Sequence, residues 1–138
     1  MPLVRIALRR RKTPQFGRKV GEAVYRTMVE ILGVPVRDNF QIITEHDENG
    51  LVYDPAYLGI ERTDGIVIVQ ITLTEGRTVP VKQRFYATLI ARLESELGVR
   101  RGDVFINLVE VKKENWSFGN GIAQYVEPNT ASVPAATV

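Results

Sequence analysis

Leu3-Val4-Arg5-Ile6-Ala7-Leu8 and Ile68-Val69-Gln70-Ile71-Thr72-Leu73 are one strand pattern written twice, 65 residues apart. The offset persists beyond the strands. Lys12-Thr13 falls on Arg77-Thr78, and Val20, Val24 and Met28 fall on Phe85, Leu89 and Leu93. Gly33-Val34 falls on Gly98-Val99, Asp38 on Asp103 and Phe40 on Phe105. A single match is chance. One offset carried through strand, turn, helix and helix stop implies two copies of a supersecondary unit.

Each copy reads strand, helix, strand. In the first, Leu3 to Leu8 is the opening strand, Thr13 the expected N-cap and Pro14 the first helical residue. Phe16, Val20, Ala23, Val24, Met28, Ile31 and Leu32 recur at helical spacing, with charged residues between them. Gly33 suits a left-handed helix stop, and Phe40 to Thr44 closes the unit. In the second copy Gly65 to Leu73 is the opening strand. Thr78 caps a helix through Leu97, Gly98 stops it, and Val104 to Val109 closes the unit. Ile66-Val67-Ile68-Val69, without a polar break, reads as a strand buried on both faces. Each unit favours parallel strands joined by a right-handed crossover. The expected fold is α+β: a four-stranded sheet with two helices on one face, its other face awaiting a second subunit. We read residues 1–138 as one domain: repeat one over 2–45, a connector over 46–64, repeat two over 65–111 and a C-terminal segment over 112–138. Residues 127–138 have the composition of a mobile tail.

The 138 residues suffice for a real core, and 44% apolar with 25% charged residues is ordinary globular composition. No cysteine is present, which removes disulfides, thiolate chemistry and zinc ribbons. With His46 the only histidine, a multi-histidine metal site is impossible, and no metal or other cofactor is expected. No apolar run reaches a membrane span and no signal peptide precedes the first strand, so no membrane partner and a cytoplasmic location are expected. A net charge of +2, with basic clusters at Arg9-Arg10-Arg11-Lys12, Arg100-Arg101 and Lys112-Lys113, argues against a nucleic-acid partner.

Chemistry enters at the start of the first strand. Trimming of Met1, favoured by a small second residue, makes Pro2 the amino terminus. Its nitrogen is then a secondary amine, which titrates near ~8 in a model peptide and serves as base, acid or nucleophile.

With Pro2 stand three further motifs: Gly33-Val34-Pro35-Val36-Arg37-Asp38, Glu75-Gly76-Arg77-Thr78 and Trp116-Ser117-Phe118-Gly119-Asn120-Gly121. In this order and spacing the chain resembles the tautomerase superfamily of amino-terminal-proline enzymes, over roughly residues 2–126. The likeness is greatest to the fused-repeat branch that includes malonate semialdehyde decarboxylase. The resemblance implies a homotrimer with active sites near subunit boundaries, Pro2 as the proton-transfer residue and Arg77 as the carboxylate-binding arginine. It also implies that Asp38 lies near the proline nitrogen. There Asp38 favours the protonated amine, orients a water or holds a substrate hydroxyl. Alternatively Asp38, like its repeat mate Asp103, caps the entry to a closing strand. The decarboxylase pattern carries two arginines in the turn before the second helix. Here Glu75 replaces the first, and Arg9, Arg10 or Arg11 is left as a replacement cation.

The expected catalytic residues are therefore Pro2, Asp38 and Arg77. Glu75, Trp116 and Phe118 line the substrate, the aromatic pair either walling the pocket or packing a subunit boundary. Tyr125 is a further candidate wall, and His46 is read as a loop residue. The expected reaction is cofactor-independent keto-enol tautomerisation of a small 2-oxo or 3-oxo acid, a carboxylate-bearing partner. The alternatives are decarboxylation, hydration or dehalogenation of a small carboxylate, and a non-catalytic trimeric binding protein.

Overall fold

A computed structural model describes residues 1–11 and 13–127. Four strands and two helices alternate: β1 (Pro2–Arg9), α1 (Phe16–Leu32), β2 (Phe40–His46), β3 (Val67–Thr74), α2 (Val79–Leu97) and β4 (Val104–Val111). The sheet order is β2-β1-β3-β4. β1 pairs in parallel with β2, and β3 with β4. The two units meet antiparallel at the centre, where Pro2 faces Leu73 and Leu8 faces Val67. This antiparallel seam makes the repeats swap ends: the start of β1 lies beside the end of β3.

One face of the sheet carries the core. Val4, Ile6 and Leu8 of β1 and Val67, Val69, Ile71 and Leu73 of β3 are buried in one cluster with Val20, Val24 and Met28 of α1 and Phe85, Leu89 and Leu93 of α2. These helical residues are the repeat-matched positions, so both helices cover the same face. Gly17 and Gly21, one turn apart, let α1 approach β2 closely. A Cβ on Gly17 would stand 2.8 Å from the Ile43 side chain, nearer than ordinary packing allows.

Three details depart from the sequence reading. Thr13 and Pro14 do not start α1. The Phe16 amide donates to the Thr13 carbonyl at 3.2 Å, making a separate turn, and Gln15 precedes the helix without a side-chain cap. Thr78 does cap α2, its hydroxyl accepting from the Val81 amide. The second strand face is not buried either. β3 alternates buried and half-buried residues throughout, with Ile68 on the half-covered side, because none of the described residues forms a layer over that face. Finally, apart from Glu127, the expected mobile tail lies outside the described residues.

Candidate active site

The swapped ends gather the first, second and third sequence motifs at one edge of the sheet. β1 begins there, β2 is entered through the turn after α1, and β3 ends there before α2. The Met1 α-amine lies 3.7 Å from Asp38 Oδ2, and both groups are largely covered. Pro2 is buried as the first residue of β1, paired with Leu73. Burial lowers the amine below its ordinary value of 8.0; the neighbouring Asp38 carboxylate opposes this and Arg77 adds to it. Asp38 is pushed up by burial, opposed by the positive amino terminus. Asp38 Oδ1 is buried without a hydrogen-bond partner among the described residues. A buried carboxylate oxygen without a donor is costly, so a group that supplies one fits there.

Arg77 is fixed from two sides. Its Nε donates to the Leu32 carbonyl at 3.0 Å and its Nη1 to the Thr74 carbonyl at 3.1 Å. Leu32 ends α1, so its carbonyl belongs to the last turn that lacks partners within the helix. Arg77 thus ties the end of α1 to the end of β3, while Nη2 makes no hydrogen bond among the described residues. Burial lowers its pKa, against the charges of Glu110 and Tyr125. Glu110, held in its charged form first by Lys82 at 2.8 Å, is the counter-charge that supports this guanidinium. Sequence reading missed Glu110. As one charge among several on a closing strand it carries no motif.

The fourth motif folds over the same region. Trp116 Nε1 donates to Thr74 Oγ1 at 3.0 Å, so the indole hangs from the strand end that holds Arg77. Trp116 stacks on Phe118 with centroids 5.5 Å apart, and Phe118 meets Tyr125 edge-on at 4.9 Å. Gly119, Asn120 and Gly121 all have positive φ, which turns the chain back on itself, and Gln124 locks the loop by bonding the Phe118 amide and the Gly119 carbonyl. Tyr125 feels the charges of Asp38 and Arg77, and burial is the largest cause of its raised pKa. It therefore stands with the site.

The remaining candidates separate. Glu75 is exposed; its amide extends the ladder to the Val111 carbonyl at 2.9 Å, and its side chain has no hydrogen bond among the described residues. It is not paired with Arg77. Arg9, Arg10 and Arg11 sit at or beyond the far end of β1, Arg9 on the Leu51 carbonyl and Arg11 on the Gly65 carbonyl. An eight-residue strand spans ~25 Å, so within one chain they do not replace the missing cation. His46 ends β2 at that far edge, bonded to Thr44.

The repeat mate of Asp38 is different in kind. Asp103 is 2% exposed and fully engaged: Oδ1 accepts the Thr63 amide at 2.7 Å and Oδ2 accepts the Thr63 hydroxyl at 2.6 Å. By the 65-residue offset the amino terminus, Met1, falls on Ile66, whose nitrogen donates to the Thr63 carbonyl at 3.1 Å. That nitrogen is an amide. The second copy of the arrangement is thus closed by the connector, and only the first retains an amine and an unsatisfied carboxylate oxygen.

Comparison with known proteins matches this arrangement to a family. Two models described as tautomerase enzyme match residues 38–119 and residues 2–60. The chain belongs to the tautomerase family. It is 41% identical over 127 residues to the probable tautomerase YusQ of Bacillus subtilis (strain 168), covering 92% of this chain and all of that one. Its fold is similar to that of FG41 malonate semialdehyde decarboxylase inhibited by 3-bromopropiolate, with TM-score 0.83, 40% identity, and 90% and 94% of the two chains covered. A second malonate semialdehyde decarboxylase, described for decarboxylase and hydratase activities, gives TM-score 0.81, 29% identity and 89% and 95% coverage. The chain is accordingly a tautomerase-family enzyme, an isomerase or related lyase. No helix among the described residues is long and apolar enough to cross a membrane, and no cluster of potential metal ligands occurs among them.

Proposed function

We propose that this enzyme interconverts the keto and enol forms of a small 2-oxo or 3-oxo acid, with the Pro2 amine moving the proton once Met1 has been removed. Loss of Met1 moves the amine back by one residue, ~3.8 Å along the chain, so it stays among Asp38, Arg77 and Tyr125. The Pro2 nitrogen takes a proton from the carbon beside the carbonyl. The C–H electrons form the new carbon–carbon double bond and the carbonyl pair moves onto oxygen as an enolate; the proton held on Pro2 then passes to that oxygen, which releases the enol and restores the free amine. Arg77, immobilised through Nε and Nη1, offers Nη2 to the substrate carboxylate or the developing enolate. Trp116, Phe118 and Tyr125 wall the site, which keeps water out and the amine's basic form populated.

The observation that carries this reading is the convergence of amino terminus, unsatisfied Asp38 oxygen and anchored Arg77 at one sheet edge. The test is ketonisation of phenylenolpyruvate by the Met-trimmed protein. Pro2→Ala and Arg77→Ala each lower kcat/KM by about 100-fold or more, and unchanged rates in both variants would sink the reading.

The second reading is decarboxylation or hydration of a small carboxylate. It is favoured by the 40% identity to a malonate semialdehyde decarboxylase over 90% of the chain and by the Asp38 carboxylate beside the amine, placed to keep it protonated and to direct a water. Glu75 opposes it, because a second negative charge in the arginine turn weakens carboxylate binding. A homotrimer accords with the uncovered sheet face, on which Phe40, Ile42 and Phe105 are exposed.

A further inference from the structure

Among the described residues the Asp38 carboxylate is held by no other side chain or backbone amide: Oδ1 is unpartnered, and Oδ2 meets the amine at 3.7 Å. Its position therefore follows from the turn that precedes it. That turn contains the one non-glycine residue of positive φ between α1 and β2, Arg37 at φ 78°. An arginine gains nothing sterically from this conformation, which is strained for a residue with a Cβ and persists only where neighbours impose it.

The neighbour is Tyr25. Its ring packs against the core from α1. Its hydroxyl oxygen accepts the Arg37 amide at 2.9 Å, the one side-chain hydrogen bond to this turn among the described residues. On either side the Asp38 amide donates to the Pro35 carbonyl at 3.1 Å and the Asn39 amide to the Arg37 carbonyl at 2.9 Å. We infer that Tyr25 is a positioning residue for the reaction: by holding the Arg37 amide it keeps Arg37 left-handed and so aims the Asp38 carboxylate at the amino-terminal nitrogen. Tyr25 touches neither amine nor substrate and acts only through the turn. The inference rests on the proposed role of the Asp38–amine pair.

The test reads the amine directly, so it does not depend on the substrate. The charged and titratable groups acting on the amine are Asp38 and Arg77, with Tyr125 acting on both of these from the aromatic loop. In Met-trimmed, 15N-proline-labelled protein, NMR titration gives the Pro2 amine pKa in wild type, Asp38→Asn, Tyr25→Phe, Arg37→Gly and Tyr25→Phe/Arg37→Gly. Asp38→Asn lowers it, since a stabilising negative charge is lost. Tyr25→Phe lowers it in the same direction by about half as much, because the carboxylate is no longer aimed. In the Arg37→Gly background, where glycine adopts the turn without an anchor, Tyr25→Phe has little effect.

A wild-type amine pKa in Tyr25→Phe, or an equal effect of Tyr25→Phe with and without Arg37→Gly, overturns the inference. No shift in Asp38→Asn would instead overturn the proposed Asp38–amine pairing, and the positioning role with it. A loss of thermal stability in Tyr25→Phe with no change in the amine would mark a merely structural tyrosine and also overturns it.

Discussion

Asp38 and Asp103 occupy matching places in the two repeats, yet their surroundings oppose each other. Asp103 returns two short hydrogen bonds to Thr63. Asp38 leaves a buried oxygen unpaired. Asp103→Asn, which removes the charge from two short hydrogen bonds and reverses the one with the Thr63 hydroxyl, costs about 1–3 kcal/mol by urea denaturation, whereas Asp38→Asn is neutral or stabilising. If instead Asp38→Asn costs as much as Asp103→Asn, the carboxylate is structural. The pH dependence follows with a definite sign. Burial depresses the amine, so its folded form binds fewer protons than the unfolded chain in the window below 8.0. Stability therefore rises with pH through that window and is lost as pH falls through the folded value. For Asp38 the sign is reversed: its raised value gives a contribution complete below its ordinary range and lost as pH rises through the folded value. A base-driven rate has its rising limb below 8.0, and Asp38→Asn moves that limb lower. Pro2, Asp38 and Arg77 were legible as candidates because motifs carry them. The two backbone carbonyls that immobilise Arg77 were not, since a carbonyl has no sequence signature.

At the scale of elements, the helices were legible from apolar spacing and glycine stops, and Gly33 and Gly98 both close their helices at left-handed φ of 69° and 66°. The helix starts were read symmetrically, and the structure breaks that symmetry. Thr78 caps α2 through its hydroxyl, while Thr13 contributes only a backbone carbonyl to a turn ahead of α1. Thr78→Ala accordingly costs about 1 kcal/mol and Thr13→Ala close to nothing, measured as shifts of the urea midpoint at constant slope. Equal losses would restore Thr13 as a cap. The aromatic loop was legible only in part. Trp116 and Phe118 invite a pocket reading, but the return of Tyr125 onto Phe118 depends on three successive positive-φ residues and on Gln124, a long-range closure that no local pattern announces.

For the whole molecule the decisive feature is the face the helices leave uncovered. Phe105 is 49% exposed and Ile42 40% exposed there, across the sheet from a fully formed core. Apolar surface of that kind marks an interaction site, and the expected occupant is a second copy of the chain. Phe105→Lys dissociates the expected trimer in sedimentation velocity while circular dichroism of the protomer is unchanged; an unaltered oligomer would place the subunit contact elsewhere. Apolar periodicity, glycine stops and a constant offset sufficed by themselves to determine two β-α-β units and their helices, because these are local properties written along the chain. Only the tertiary structure decided that the units join antiparallel. That seam brings the amino terminus, Asp38 and Arg77 to one edge, sends Arg9 and His46 to the other, and lets the connector close the second copy. These outcomes depend on which strand ends meet, and that is settled by packing both helices over one shared core.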